Sequence, residues 1–192
     1  PGYETGNALT DVLTGKVNPS GKLPLTFPRH LGQVPLYYNK LNTGRPQTTF
    51  GTLWTSGYLD VPVTPAYPFG FGLSYTNFEY SDIRSEKKVF GKDETIVVNI
   101  TVTNTGSVDG SEVVQFYMRD PSADVARPVK ELKSFLKVSL KPGESKPLQF
   151  QLTPEDRSYW NQDLKFKADP GKFQVFIGGS SEMVKMMEVE VK

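Results

Sequence analysis

The residues best suited to chemistry crowd one irregular stretch. Tyr37, Tyr38, Arg45, Phe50, Trp54 and Tyr58 fall in a segment rich in Pro, Gly, Tyr and Thr. Aromatic faces and a guanidinium fork are what a sugar-binding rim uses: flat apolar surface plus hydrogen-bond donors. The same side chains can equally glue a loop to its neighbour. Both readings stand at this stage. Tyr37, Tyr38, Arg45, Trp54 and Tyr58 are the substrate-binding candidates.

Other chemistries find little support. His30 is the only histidine, so a metal site built on several imidazoles is excluded. Flanked by Pro28 and Arg29, it reads as an ordinary surface or interface residue. Ser20 lies in Pro19-Ser20-Gly21, a turn, and not in the elbow that presents a catalytic serine. Gly70-Phe71-Gly72-Leu73-Ser74 lacks the preceding strand, following helix and third glycine of a phosphate-binding glycine loop. Asp93-Glu94 and Glu155-Asp156 are neighbours in polar turns. Their carboxylates diverge, whereas acid/base catalysis by a carboxylate pair needs two groups facing each other across a substrate. Asn99-Ile100-Thr101 fits the glycosylation pattern but sits in the middle of a strand-like run. No catalytic residue, metal site or cofactor is expected from these residues.

Composition narrows the class. Hydrophobic residues make up 37% and charged residues 22%, which supports a packed core and argues against disorder. Twenty-two basic against 21 acidic residues leave a net charge of +1, with no basic stripe of the kind nucleic-acid binders carry. Cysteine is absent, so disulfides, thiolate metal sites and a cysteine nucleophile are excluded, while the compartment stays open. No run of about 18 apolar residues is present, so no membrane-spanning helix is expected.

Three textures follow one another along the chain. In residues 1–28, Ala8, Leu9, Val12 and Leu13 keep helical spacing, and Gly15 follows as a stop signal. After the Asn18-Pro19-Ser20-Gly21 turn, Leu23, Leu25 and Phe27 alternate as in a short strand. One helix and one strand cannot enclose a core, so this piece reads as the end of an α/β unit that continues upstream. Residues 29–76 form a long loop with weak periodicity, of the kind that is functional or packed over another domain. Its tail, Tyr67-Pro68-Phe69-Gly70-Phe71-Gly72-Leu73-Ser74-Tyr75, is dense enough in aromatics and glycine to be buried and tightly turning.

From Asn77 to Lys192 the pattern is β throughout. Ile96, Val98, Ile100 and Val102 alternate with more polar neighbours. Val114, Phe116 and Met118 do the same, as do Leu148, Phe150 and Leu152, and Phe173, Val175 and Ile177. Leu132–Leu140, a stretch near Phe78–Ile83, the trio Leu164, Phe166 and Ala168, and Met187, Val189 and Val191 complete seven or eight strands. Turn signals such as Lys141-Pro142-Gly143-Glu144 separate them. This spacing predicts an antiparallel β-sandwich of the immunoglobulin or fibronectin type III kind, preceded by an α/β fragment and a long loop.

Several motifs in fixed order resemble one family. Gly6-Asn7-Ala8-Leu9-Thr10-Asp11-Val12-Leu13-Thr14-Gly15 and Asn18-Pro19-Ser20-Gly21-Lys22-Leu23-Pro24 resemble the end of the α/β-sandwich domain of glycoside hydrolase family 3. Tyr67 to Tyr75 is similar to the segment that leads that family into its fibronectin type III-like domain. Val102-Thr103-Asn104-Thr105-Gly106, Arg127-Pro128-Val129-Lys130-Glu131-Leu132 and Pro170-Gly171-Lys172-Phe173 look like markers of that last domain. Gly32-Gln33-Val34-Pro35, Asn42-Thr43-Gly44-Arg45-Pro46 and Tyr159-Trp160-Asn161-Gln162 look closest to periplasmic β-glucosidases of Gram-negative bacteria.

The resemblance implies a retaining β-glycosidase as the parent, with an aspartate nucleophile and a glutamate acid/base. Neither motif matches any stretch here, so neither role falls on a residue of this chain. It further implies that the partners are the barrel and α/β-sandwich domains of the parent. The substrate would be a β-linked oligosaccharide or aryl glucoside bound through the parent, and the location periplasmic or secreted. The competing reading is a free-standing carbohydrate- or protein-binding sandwich without enzymatic activity, since such folds often bind rather than catalyse.

Overall fold

The computed structural model describes residues 2–192. Nine residues, Thr5–Leu13, form helix α1, and a 3₁₀ turn follows at Leu31–Gln33. The strands are β1 (Phe78–Tyr80), β2 (Val89–Phe90), β3 (Ile96–Asn104), β4 (Gly110–Arg119), β5 (Glu131–Leu140) and β6 (Ser145–Leu152). A short helix α2 (Pro154–Arg157) precedes β7 (Tyr159–Trp160), β8 (Phe166–Lys167), β9 (Gly171–Gly178) and β10 (Val184–Val191).

Two sheets make the sandwich. One has three strands in the order β1-β3-β6, and the other has five in the order β2-β10-β9-β4-β5. All pairings are antiparallel except β2 with β10, which is parallel. In β3, Ile96, Val98, Ile100 and Val102 are buried and the residues between them are only half so. Side chains of a strand alternate between faces, and β-branched residues suit the pleated surface, so this run makes one wall of a core. Against it β6 sets Leu152, Phe150 and Leu148 in register with Ile96, Val98 and Ile100. Val114, Phe116 and Met118 of β4, Phe173, Val175 and Ile177 of β9, and Val189 and Val191 of β10 supply the facing wall. The rings of Phe116 and Phe150 stack across the sandwich at 5.2 Å. At Gly178 any side chain would run into the backbone of Met183 and Val184, so the β9–β10 turn can close only around glycine.

A buried cation holds one end. Thr153 and Asp156 form a capping box on α2, which carries Arg157 into the interior. The Arg157 guanidinium donates to the carbonyls of Glu94 (2.8 Å) and Lys92 (3.1 Å). Burial lowers its pKa, opposed by the charges of Asp93 and Asp156.

Three local expectations are corrected. Leu23, Leu25 and Phe27 do not form a strand. Pro24 removes a ladder donor, and the stretch makes only an isolated bridge, Phe27 to Tyr67, with Leu23 N–H donating to Phe71 and Gly70 N–H to Leu23. Leu164, Phe166 and Ala168 are not a sandwich strand. Asn161 Oδ1 accepts from the N–H groups of Asp163 and Lys165, and Leu164 takes φ 57° in the turn, residues 161–165, that joins the short strands β7 and β8. Leu164 and Phe166 therefore face solvent. The Phe78–Ile83 strand is shorter than expected and regular only as β1.

Among the described residues before β1 no apolar side chain is fully buried. Helix α1 buries none of its side chains, and Leu9 and Leu13 stand exposed. Among the described residues no helix is long and apolar enough to cross a membrane.

Candidate functional site

The aromatic loop is built around one glutamine. Gln33 is fully buried. Its Oε1 accepts from the N–H groups of Arg29 (2.6 Å) and His30 (3.2 Å), and its Nε2 donates to the carbonyls of Pro62 (2.7 Å) and Thr64 (3.3 Å). An amide can do both at once, which neither a carboxylate nor an ammonium can. His30 caps the 3₁₀ turn, its Nδ1 accepting from Gly32 N–H at 3.1 Å. Within the loop, Ser56 N–H donates to the Arg45 carbonyl at 2.6 Å, and Gln47 Nε2 reaches Thr55 and Tyr58. These bonds close residues 45–58 on themselves.

The five candidates divide into two sets. Tyr38 is half-buried, its ring stacked on Phe69 at 4.3 Å and edge-on to Tyr117 at 5.8 Å. Its hydroxyl accepts from Leu132 N–H at 3.3 Å. Tyr58 is also half-buried and donates through its hydroxyl to the Gln33 carbonyl at 3.3 Å. These two anchor the loop. Tyr37, Arg45 and Trp54 project outward, together with Phe50. Trp54 is 87% exposed on a backbone of φ 64°. That left-handed conformation is uncommon for a bulky residue and costs about 1 kcal/mol or more.

The loop tail covers the outer face of the five-stranded sheet. Gln115 Nε2 donates to the carbonyls of Gly70 (3.1 Å) and Gly179 (2.8 Å), and Tyr117 donates to Gln115 Oε1 at 2.5 Å. Ser181 N–H donates to Phe69. Gly70 adopts φ 78°, and a Cβ there would collide with the Gln115 side chain. Lys130 donates to the Ser181 carbonyl and lies over the Phe176 ring at 4.8 Å. Burial pushes its pKa down, against the opposing charge of Glu182. Gln115, Tyr117 and Lys130 were not among the expected site residues. The signal that could have found them is Val113-Val114-Gln115-Phe116-Tyr117-Met118, a run too apolar for a strand with one face in water.

The N-terminal turn is tied to the sandwich by polar contacts. Asn18 Nδ2 donates to the Asp109 carbonyl, and its Oδ1 accepts from Ser74 and from Tyr75 N–H. Lys22 and Glu112 form an ion pair at 2.8 Å with both side chains largely out of solvent. This pair borders a cleft of about 480 Å³ between residues 71–80 and 177–185. Burial, reinforced by Glu112, holds the Tyr80 hydroxyl there far above its usual pKa. Glu112 is occupied by Lys22. The acid pairs lie apart from both regions: Glu94 binds Lys87 and caps Gly91 on the surface, and Asp156 caps α2. Among the described residues no three His, Asp or Glu side chains gather to hold a metal.

Comparison with known proteins places this arrangement. Residues 1–75 match the model of the glycosyl hydrolase family 3 C-terminal domain, and residues 112–181 match that of the fibronectin type III-like domain. The first 75 residues belong to the C-terminal domain of glycosyl hydrolase family 3. It is 48% identical over 191 residues to a periplasmic β-glucosidase of Salmonella typhimurium, covering 99% of this chain and 25% of that protein. It is 42% identical over 181 residues to a putative β-xylosidase of Formosa agariphila, covering 94% of this chain and 23% of that protein. The crystal structure of a β-glucosidase from Listeria innocua in complex with glucose superposes with a TM-score of 0.95 at 47% identity, over 100% of this chain and 27% of that one. The chain thus spans about a quarter of the length of the family 3 proteins it matches.

Proposed function

We propose that this chain is the C-terminal, non-catalytic part of a retaining β-glycosidase of the β-glucosidase type, acting on terminal β-linked sugars in the periplasm or outside the cell. The observation that carries this reading is the apolar face of α1, left bare on a chain that aligns end to end with a quarter of several family 3 glycosidases. A nine-residue helix is too short to be stable alone in water, so its packing partner belongs to the rest of the parent. In this reading the sandwich braces the α/β domain. The aromatic loop edges the substrate cleft, with Tyr37, Arg45 and Trp54 facing the sugar and Tyr38 and Tyr58 holding them in place.

Steady-state hydrolysis of aryl β-glucoside and aryl β-xyloside by the whole enzyme tests this. Trp54→Ala and Arg45→Ala are expected to raise KM about five-fold or more while kcat changes little, as for lost binding that is uniform along the reaction. Unchanged kinetics in both variants would remove the loop from the cleft. The ratio of the two substrates fixes the sugar preference.

A further inference from the structure

We propose that Gln115 and Tyr117, on the outer face of the five-stranded sheet, are positioning residues that set where the loop presents Arg45 and Trp54. The inference rests on the reading of that loop as a cleft rim and adds a mechanism to it.

The sandwich core does not need these side chains. It lies between the sheets, and in β4 it is served by Val114, Phe116 and Met118. Gln115 and Tyr117 point the other way, yet they are as buried as the core. What buries them is the loop. Tyr117 meets the ring of Tyr38, next in sequence to Tyr37. Two residues further on, the Lys40 carbonyl accepts from Val129 N–H, and Leu41 bridges Pro128. The loop's entry is thereby fixed on the segment that leads into β5. Its exit is fixed by Gln115, whose amide bonds Gly70, with Phe69 stacked on Tyr38. Tyr117 joins the two ends: its ring touches the entry and its hydroxyl orients the amide that holds the exit. Buried polar networks of this kind fix geometry, because each unpaired member is penalised in a low-dielectric setting. The register irregularity between β4 and β5 falls beside this pair, between Phe116 and Tyr117, with the extra residue, Lys133, on β5.

The test uses the whole enzyme with three variants: Tyr117→Leu, Gln115→Met and Tyr117→Phe. Amide hydrogen exchange is followed across residues 36–60, alongside KM and kcat on an aryl β-glucoside. In Tyr117→Leu and Gln115→Met, exchange in the loop is expected to quicken roughly ten-fold while β3 and β6 stay protected. KM is expected to rise about five-fold with kcat within about two-fold, and Tyr117→Phe, which keeps the ring, to recover at least half of the KM change. Unchanged exchange in folded variants would overturn the proposal. Faster exchange with KM unmoved, in an enzyme where Trp54→Ala also leaves KM unmoved, supports the positioning role and rejects the rim reading. If Tyr117→Leu fails to fold, Gln115→Met decides, since it removes one amide and keeps the bulk.

Discussion

The sandwich and the segment before it are held by different physics. From β1 onward the chain closes a core of its own, dry and lined by alternating apolar residues from two sheets. Residues 2–76 bury no apolar side chain fully and are held by polar ties, Gln33 within the loop, Asn18 and Lys22 onto the sandwich and Gln115 at the exit, together with the docking of the Tyr38 ring on Phe69 and Tyr117. Burial of apolar area is non-directional and tolerates local error, whereas a buried amide or ion pair works only in one geometry. One region therefore supplies stability and the other supplies placement.

Mutations can sharpen that contrast. The largest loss is expected from Phe116→Ala, which opens a cavity opposite Phe150 and should cost about 3–5 kcal/mol in urea unfolding. An unmoved midpoint would show that this ring is not core. Arg157→Ala leaves the Glu94 and Lys92 carbonyls without donors, and about 3 kcal/mol of destabilisation is expected by the same measurement. A loss under about 1 kcal/mol would mean that water replaces the guanidinium. Glu112→Leu strands the Lys22 ammonium in a largely buried place and should cost about 2 kcal/mol, with Lys22→Met in the same molecule restoring most of it. Simple additivity of the two changes would argue against a coupled tie.

Asp120 gives a pH handle at the sandwich end. Burial raises its pKa, partly offset by the Ser122 N–H and the Arg127 charge. A carboxyl whose folded pKa exceeds the unfolded value of about 3.9 binds its proton more tightly when folded. Its contribution is greatest at low pH and is lost as pH climbs through the folded pKa. Asp120→Asn should therefore gain stability relative to the parent chain between acidic and neutral pH. An equal difference at both ends would contradict this. The smallest effect belongs to Trp54→Ala, expected within about 0.5 kcal/mol, because the ring is exposed and lies outside the core. A larger fall in the melting temperature would make Trp54 part of the folded support.

How far residues alone disclosed this structure follows the same divide. Strands such as Ile96–Asn104 and Gly171–Gly178 stand out because one face is dry and the other is not. Leu164 and Phe166 mimic that alternation in the short β7–β8 hairpin, whose turn is shaped by the Asn161 side-chain bonds. Strand β2 is two residues long and carries no period at all. Arg157 carries no local signal of burial, because the carbonyls it meets lie more than sixty positions away. Of the loop candidates, the aromatic crowding was visible but its division was not. Tyr38 and Tyr37 are adjacent and of one type, and only the docking of Tyr38 on Phe69 and Tyr117 separates anchor from exposed face.

On the proposed reading this region supports and places, while other domains of the parent perform the chemistry. This division is tested most directly by assaying the purified chain, with its intact mass and cooperative unfolding verified, on aryl β-glucoside and aryl β-xyloside. On the proposed reading no hydrolysis above buffer is predicted, because the nucleophile and the acid/base would lie in other domains of the parent. Turnover by a homogeneous 21.4 kDa species would contradict the account.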